Sequence, residues 1–113
     1  NTQKGTLYLI SRDGVLKIGI TNGEFFRLKE HEQFGWKIVK VWRHKDGRIP
    51  ERLEKEVIHH WRKVLKAPPA LTKEDMPQHG YTETVSMRKV GMRKAVQMID
   101  ELAKPNDLQT LVA

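Results

Sequence analysis

No cysteine occurs among the 113 residues. Disulfides, thiolate zinc sites and thiol redox chemistry are therefore excluded. No apolar run approaches the ~20 residues a bilayer-spanning helix needs, and the N-terminus shows no signal-peptide pattern. These absences predict a cytoplasmic protein that does not enter a membrane. The chain begins at Asn1 rather than Met, as expected of a fragment or of a chain that has lost a leader or tag. Acidic residues are scarce: 14 Asp and Glu face 21 Lys and Arg, for a formal net charge of +7. A small domain this basic is expected to meet a polyanion. No P-loop, nucleophile elbow, Ser-His-Asp arrangement or dinucleotide fingerprint is present. The five histidines (His31, His44, His59, His60 and His79) match no zinc spacing. What remains is 38% hydrophobic residues, enough for one modest core and too little for two.

Residues 5–11 and 15–21 are rich in β-branched and apolar side chains and flank Asp13-Gly14. That dipeptide favours a two-residue type I′ turn, so the pair reads as a β-hairpin. After a break at Asn22-Gly23, residues 24–34 read as a short helix with Phe25 and Leu28 inward and Gly35 as its stop. A third strand is expected over 36–44. A helix should start around Pro50 and run to about Lys66. Residues 67–80, with three prolines and a glycine, form the longest irregular stretch, followed by a short strand at 82–86. A last helix at 88–103 carries Met92, Ala95, Val96, Ile99 and Leu102 on one stripe and stops at Pro105. The order β-β-α-β-α-β-α predicts an α+β fold: one domain over residues 1–104 and a tail over 105–113.

If Asp13-Gly14 is the turn, Arg12 pairs with Val15, Tyr8 lies opposite Gly19 and Ile10 opposite Lys17. Tyr8, Ile10, Lys17 and Gly19 then share one face. A phenol and an ammonium beside the space left by Gly19 would suit a phosphate or a nucleophilic water. The alternative puts Tyr8 in the core and lets Lys17 reach solvent along its stem. Arg27 and His31 are four apart, hence on one side of their helix. Arg offers a fixed cationic fork for phosphate, and His can donate to phosphate or move a proton. On the helix after Pro50, Leu53, Val57, Ile58, Trp61, Val64 and Leu65 fall on one arc, and Glu54 falls near its middle. A carboxylate there needs a partner. Either a Mg²⁺ that bridges to phosphate or a structural salt bridge would serve.

The ordered set resembles the GIY-YIG nuclease family: Gly5-Thr6-Leu7-Tyr8, Lys17-Ile18-Gly19, Arg27 with His31, and Glu54 on a later helix. The resemblance covers about residues 5–65. It departs from the family in lacking the usual glycine of the first motif and in placing Lys17 where many members have tyrosine, a mark of restriction-type and phage-type members. The resemblance implies a central three-stranded antiparallel sheet flanked by helices, and metal-dependent hydrolysis of DNA phosphodiesters. It implies that Tyr8 acts as general base or positions the attacking water, with Lys17 and Gly19 in the second motif. Arg27 would contact the scissile phosphate, His31 would belong to the catalytic set, and Glu54 would hold one Mg²⁺ or Mn²⁺. Some members carry an Asn late in the domain; here the region reads Gly80-Tyr81-Thr82-Glu83-Thr84. Glu83 is either a second carboxylate or a strand surface residue.

A free phenol titrates near ~10, so Tyr8 as a base would need its pKa lowered by Lys17, Arg27 and the metal. Arg27 would stabilise transition-state charge and the cation would act at the leaving oxygen. Lys37, Lys40, Arg43, Lys45 and Arg48, and later Arg88, Lys89, Arg93 and Lys94, would supply positive charge for the DNA backbone. No helix-turn-helix pattern is present, so a flanking domain would supply target specificity. The expected function is a metal-dependent DNA endonuclease, alone or as the nuclease domain of a homing, restriction or repair protein. The alternatives are a non-catalytic nucleic-acid-binding module of the same fold, and a basic protein adaptor using Trp36, Trp42 and Trp61 as contacts.

Overall fold

A computed structural model describes residues 4–21, 26–76 and 80–112. Asn22, Gly23, Phe25 and His79, named above, lie outside the described residues. Strands β1 (Gly5–Arg12) and β2 (Val15–Thr21) form the expected hairpin. Asp13 and Gly14 both have positive φ, 48° and 78°, as a type I′ turn requires. The register is the one the turn dictates: Arg12 faces Val15, Ile10 faces Lys17 and Tyr8 faces Gly19.

Helix α1 (Phe26–Gln33) ends before Gly35, and β3 (Lys37–His44) returns antiparallel to β1. Helix α2 (Arg48–His59) carries Pro50 in its first turn, where a missing N–H costs nothing. A short strand, β4 (Thr84–Ser86), pairs antiparallel with β2. The sheet therefore has four strands in the order β3-β1-β2-β4, where three had been expected in its centre. The addition is the short strand foreseen near 82–86, which docks because β2 would otherwise present an open edge. The fold is α+β. Among the described residues, no helix is long and apolar enough to cross a membrane.

The two sheet faces bury different material. Leu7, Leu9, Leu16 and Ile18 point to one side and pack with Leu53, Val57 and Trp61 and with Ala95, Ile99 and Ala103 of helix α3 (Met92–Val112). Tyr8 and Ile10 point to the other side, where Leu28 of α1, Trp36 and Met76 cover them. Met76 comes from the irregular 67–80 stretch. That stretch is shaped by a reciprocal pair in which the Thr72 hydroxyl donates to Asp75 Oδ2 and accepts from the Asp75 N–H. All three tryptophans are buried, so the adaptor reading loses its contact residues.

Three other expectations change. The turn after α2, His60–Val64, is a π-helix, with the Leu65 N–H bonded to the His60 carbonyl. A π turn advances each residue by less than the 100° of an α-helix, so the apolar arc slips out of phase after Trp61. Val64 and Leu65, expected inside, are 59% and 42% exposed. Met92 opens α3 and is exposed, while Ala95 and Ile99 carry the stripe. Finally, α3 does not stop at Pro105 but continues to Val112. Proline withholds one backbone donor, and the helix passes over that missing bond.

Candidate active site

Strand alternation sets Tyr8 and Lys17 on the same side of the sheet, and α1 lays His31 over them. His31 Nε2 is 3.2 Å from the Tyr8 hydroxyl. Lys17 Nζ sits 5.3 Å from the Tyr8 ring centroid, a cation–π distance. All three are enclosed: Tyr8 is 0% exposed, Lys17 1% and His31 1%. The expected gap beside Gly19 is not empty. A Cβ there would run into the Tyr8 hydroxyl, so the missing side chain is what lets the phenol lie across β2. Alternation reveals which residues share a face and not how deep they lie.

Lys17 does not reach solvent along its stem. Its ammonium donates to Glu83 Oε1 at 2.9 Å and to the Ile18 carbonyl at 3.2 Å. Burial lowers the Lys17 pKa, and the facing Glu83 carboxylate opposes that shift. Glu83 thus resolves as the counter-ion of a buried lysine. Its sequence signal was only that of a carboxylate in the region where some members of the resembled family carry an Asn.

Glu54 is half-buried on α2 and has no hydrogen bond or ion pair among the described residues. The structural salt bridge expected as its alternative partner is therefore not formed there. Burial pushes its carboxyl up to about 7, helped by the negative charge of Glu83 and opposed by Lys17 and Arg27. Arg27, exposed on α1, is the group of the set that meets solvent most openly. Its charge is felt at Tyr8, Lys17, His31 and Glu54, which places the five groups in one electrostatic neighbourhood.

Two protonation states differ from what base catalysis by Tyr8 would need. Burial raises the Tyr8 pKa above its ordinary value, outweighing the lowering by Arg27. Tyr8 therefore holds its proton. Burial also drives His31 down to about 4, aided by Lys17 and Arg27, so its imidazole is neutral at pH 7. The Tyr8 hydroxyl and the neutral imidazole share one hydrogen bond at Nε2, whose direction is set by the imidazole tautomer.

No cluster of three or more His, Asp or Glu able to cage a metal exists among the described residues. The donor set still fits a hard divalent cation in another way. Glu54, without an ion pair among the described residues, is a half-desolvated carboxylate whose charged state a cation would favour, and Mg²⁺ commonly takes one or two carboxylates and fills its shell with water and phosphate.

The basic residues do not form one surface. Lys37, Lys40 and Arg43 lie on β3, one edge of the sheet, and Arg88 and Lys89 follow β4 at the other edge. Arg93 and Lys94 begin α3, which packs on the face opposite Tyr8. Lys40 pairs with Asp100 at 2.9 Å, and Arg48 with its neighbour Asp46 at 2.8 Å; Lys45 is exposed. One cation that periodicity missed is Arg62. Its guanidinium donates to the carbonyls of Ala67, Thr82 and Thr84. Nothing in the helical pattern distinguishes it from its exposed neighbours.

No family model matches the chain, and neither a curated protein nor a solved structure does.

Proposed function

We propose that this protein is a divalent-metal-dependent DNA endonuclease of the GIY-YIG type. The observation that carries the reading is the convergence of Tyr8, Lys17, Arg27, His31 and Glu54, from four separate elements, into one electrostatic neighbourhood. Hydrolysis adds one water across a P–O bond, leaving a phosphomonoester and a free hydroxyl. Arg27, exposed and permanently charged, receives the phosphate and holds charge that develops on its oxygens. Glu54 would hold the Mg²⁺ or Mn²⁺, which when bound supplies further charge neutralisation and Lewis acidity. Tyr8, protonated, enclosed and hydrogen-bonded to His31, supports the site from beneath; it does not remove a proton from water. Lys17 lies too deep to touch substrate and sets the field beneath the site.

The alternative is a nucleic-acid-binding module that has kept the fold without the reaction. The complete burial of the Tyr8 phenol favours it, because a catalytic hydroxyl must meet its substrate. Supercoiled plasmid with Mg²⁺ or Mn²⁺, beside an EDTA control and Glu54→Ala, separates the two. Nicking that needs both metal and Glu54 supports the nuclease. Metal-independent cleavage, or cleavage that survives Glu54→Ala, refutes the assignment of Glu54. DNA binding without cleavage of any DNA form supports the module.

A further inference from the structure

We infer that Glu83 is a positioning residue whose carboxylate, held in place by a backbone clamp from Arg62, fixes the Lys17 ammonium under the Tyr8 ring. The inference rests on the nuclease reading for its catalytic consequence and on geometry for everything else.

A lysine is almost never fully buried unless paired. Here the surroundings of Lys17 are built for the pair from three directions. Gly80 provides room: a Cβ there would collide with Lys17 Cε, and its φ of 100° is one that side-chain-bearing residues rarely adopt. The 3₁₀ turn Tyr81–Glu83 then brings the carboxylate round, with the Glu83 N–H bonded to the Gly80 carbonyl at 3.0 Å. Arg62 locks both flanks of Glu83. Its Nη2 donates to the Thr82 and Thr84 carbonyls, each at 2.7 Å, and its Nη1 to the Ala67 carbonyl at 2.9 Å. Thr84 adds a third tie, donating to the Tyr81 carbonyl at 2.6 Å while accepting from the N–H groups of Ala70 and Leu71. A surface residue in the turn before a short edge strand needs none of this. The clamp spends a guanidinium on carbonyl groups alone, and the residue so held is the one that meets Lys17.

The consequence reaches the site through charge and contact. The ammonium lies against the Tyr8 ring, and its field is felt at His31 and Glu54. Without Glu83, a lone ammonium in this enclosure is costly and must shift or lose its proton.

Two variants and two readouts test this in the full chain. In wild type, the ¹⁵N-labelled side-chain ammonium of Lys17 should give a slowly exchanging NMR signal. Glu83→Gln should shift that signal or broaden it away, and should lower kcat about tenfold or more while KM for DNA stays within about twofold. If Glu83→Gln fails to fold, the double variant Lys17→Met with Glu83→Gln replaces the ion pair by neutral groups of similar size and should fold. For a positioning role, this double variant melts like wild type yet remains slow. For a merely structural role, it recovers cleavage together with stability, and the inference falls. A Lys17 signal unaffected by Glu83→Gln also overturns it, as does a lost signal with unchanged kcat. If wild type cleaves no DNA at all, the nuclease reading fails, and with it the catalytic consequence, while the NMR arm still decides whether Glu83 holds Lys17.

Discussion

Glu54→Gln should stabilise this protein at pH 8 and leave it unchanged at pH 4. Folding raises the Glu54 pKa from 4.5 to about 7, chiefly by burial. Between those values the folded state binds more protons than the unfolded state, so wild type loses stability as pH rises through the window. The full displacement is worth about 3 kcal/mol at 1.36 kcal/mol per pH unit, and partial solvent exposure trims it to about 1–3 kcal/mol. Glutamine keeps the shape and never ionises, so the gain appears only where glutamate would be charged. At about 4 °C per kcal/mol for a domain of this size, the pH 8 melting temperature should rise by roughly 4–12 °C. His31 supplies a second, opposite signature. Its pKa falls from 6.5 to about 4 on folding, so it contributes stability above 6.5 that is lost as pH drops towards 4. In wild type the two slopes largely cancel, giving a flat profile from pH 6.5 to 4.5. In Glu54→Gln the His31 slope stands alone and stability falls steeply with acid. Thermal melts of both proteins in metal-free buffer between pH 4 and 8 measure this. A Glu54→Gln variant that shifts the melt equally at every pH would refute the burial argument.

Arg27→Ala should change stability by less than about 0.5 kcal/mol, because the side chain is exposed, yet slow cleavage by about 10²–10³; melts and plasmid nicking check the split. Gly19→Ala places a methyl where the Tyr8 hydroxyl lies and should cost about 1–3 kcal/mol and most of the activity, read by denaturant titration and the same nicking assay. Neutralising Arg93 and Lys94, on the face opposite Tyr8, should leave the salt dependence of DNA binding unchanged. A slope reduced by about two would show that DNA reaches that face. Divalent cation should raise the melting temperature of wild type but not of Glu54→Gln, since only a ligand of the folded state stabilises it.

The hairpin register was legible to the residue because one Asp-Gly dipeptide sets the turn and alternation does the rest. Glu54 was legible because a carboxylate inside an apolar arc breaks the pattern around it. Lys17 was placed on the right face at the wrong depth: whether its stem reached water depended on Glu83 and Gly80, more than sixty residues away. The π turn after α2 was invisible because i→i+5 bonding follows from how Trp61 and Ala67 seat in the core, and no local propensity marks it. Arg62 was lost for the same reason. Its partners are backbone carbonyls, which any sequence supplies and only the folded chain brings near.

The outer edge of β3 has a consequence that concerns neither phosphate nor catalysis. Among the described residues, β3 pairs with β1 alone within the sheet, which makes it an edge strand. An edge strand with Ile38 exposed upon it would template stacking between molecules. Lys37 and Arg43 place like charge on that edge, with Lys40 paired to Asp100, so two copies approaching strand to strand meet cations before they can register. The same cations that would meet a nucleic acid would thus oppose edge-to-edge pairing, and a variant stripped of them should aggregate even if it folds.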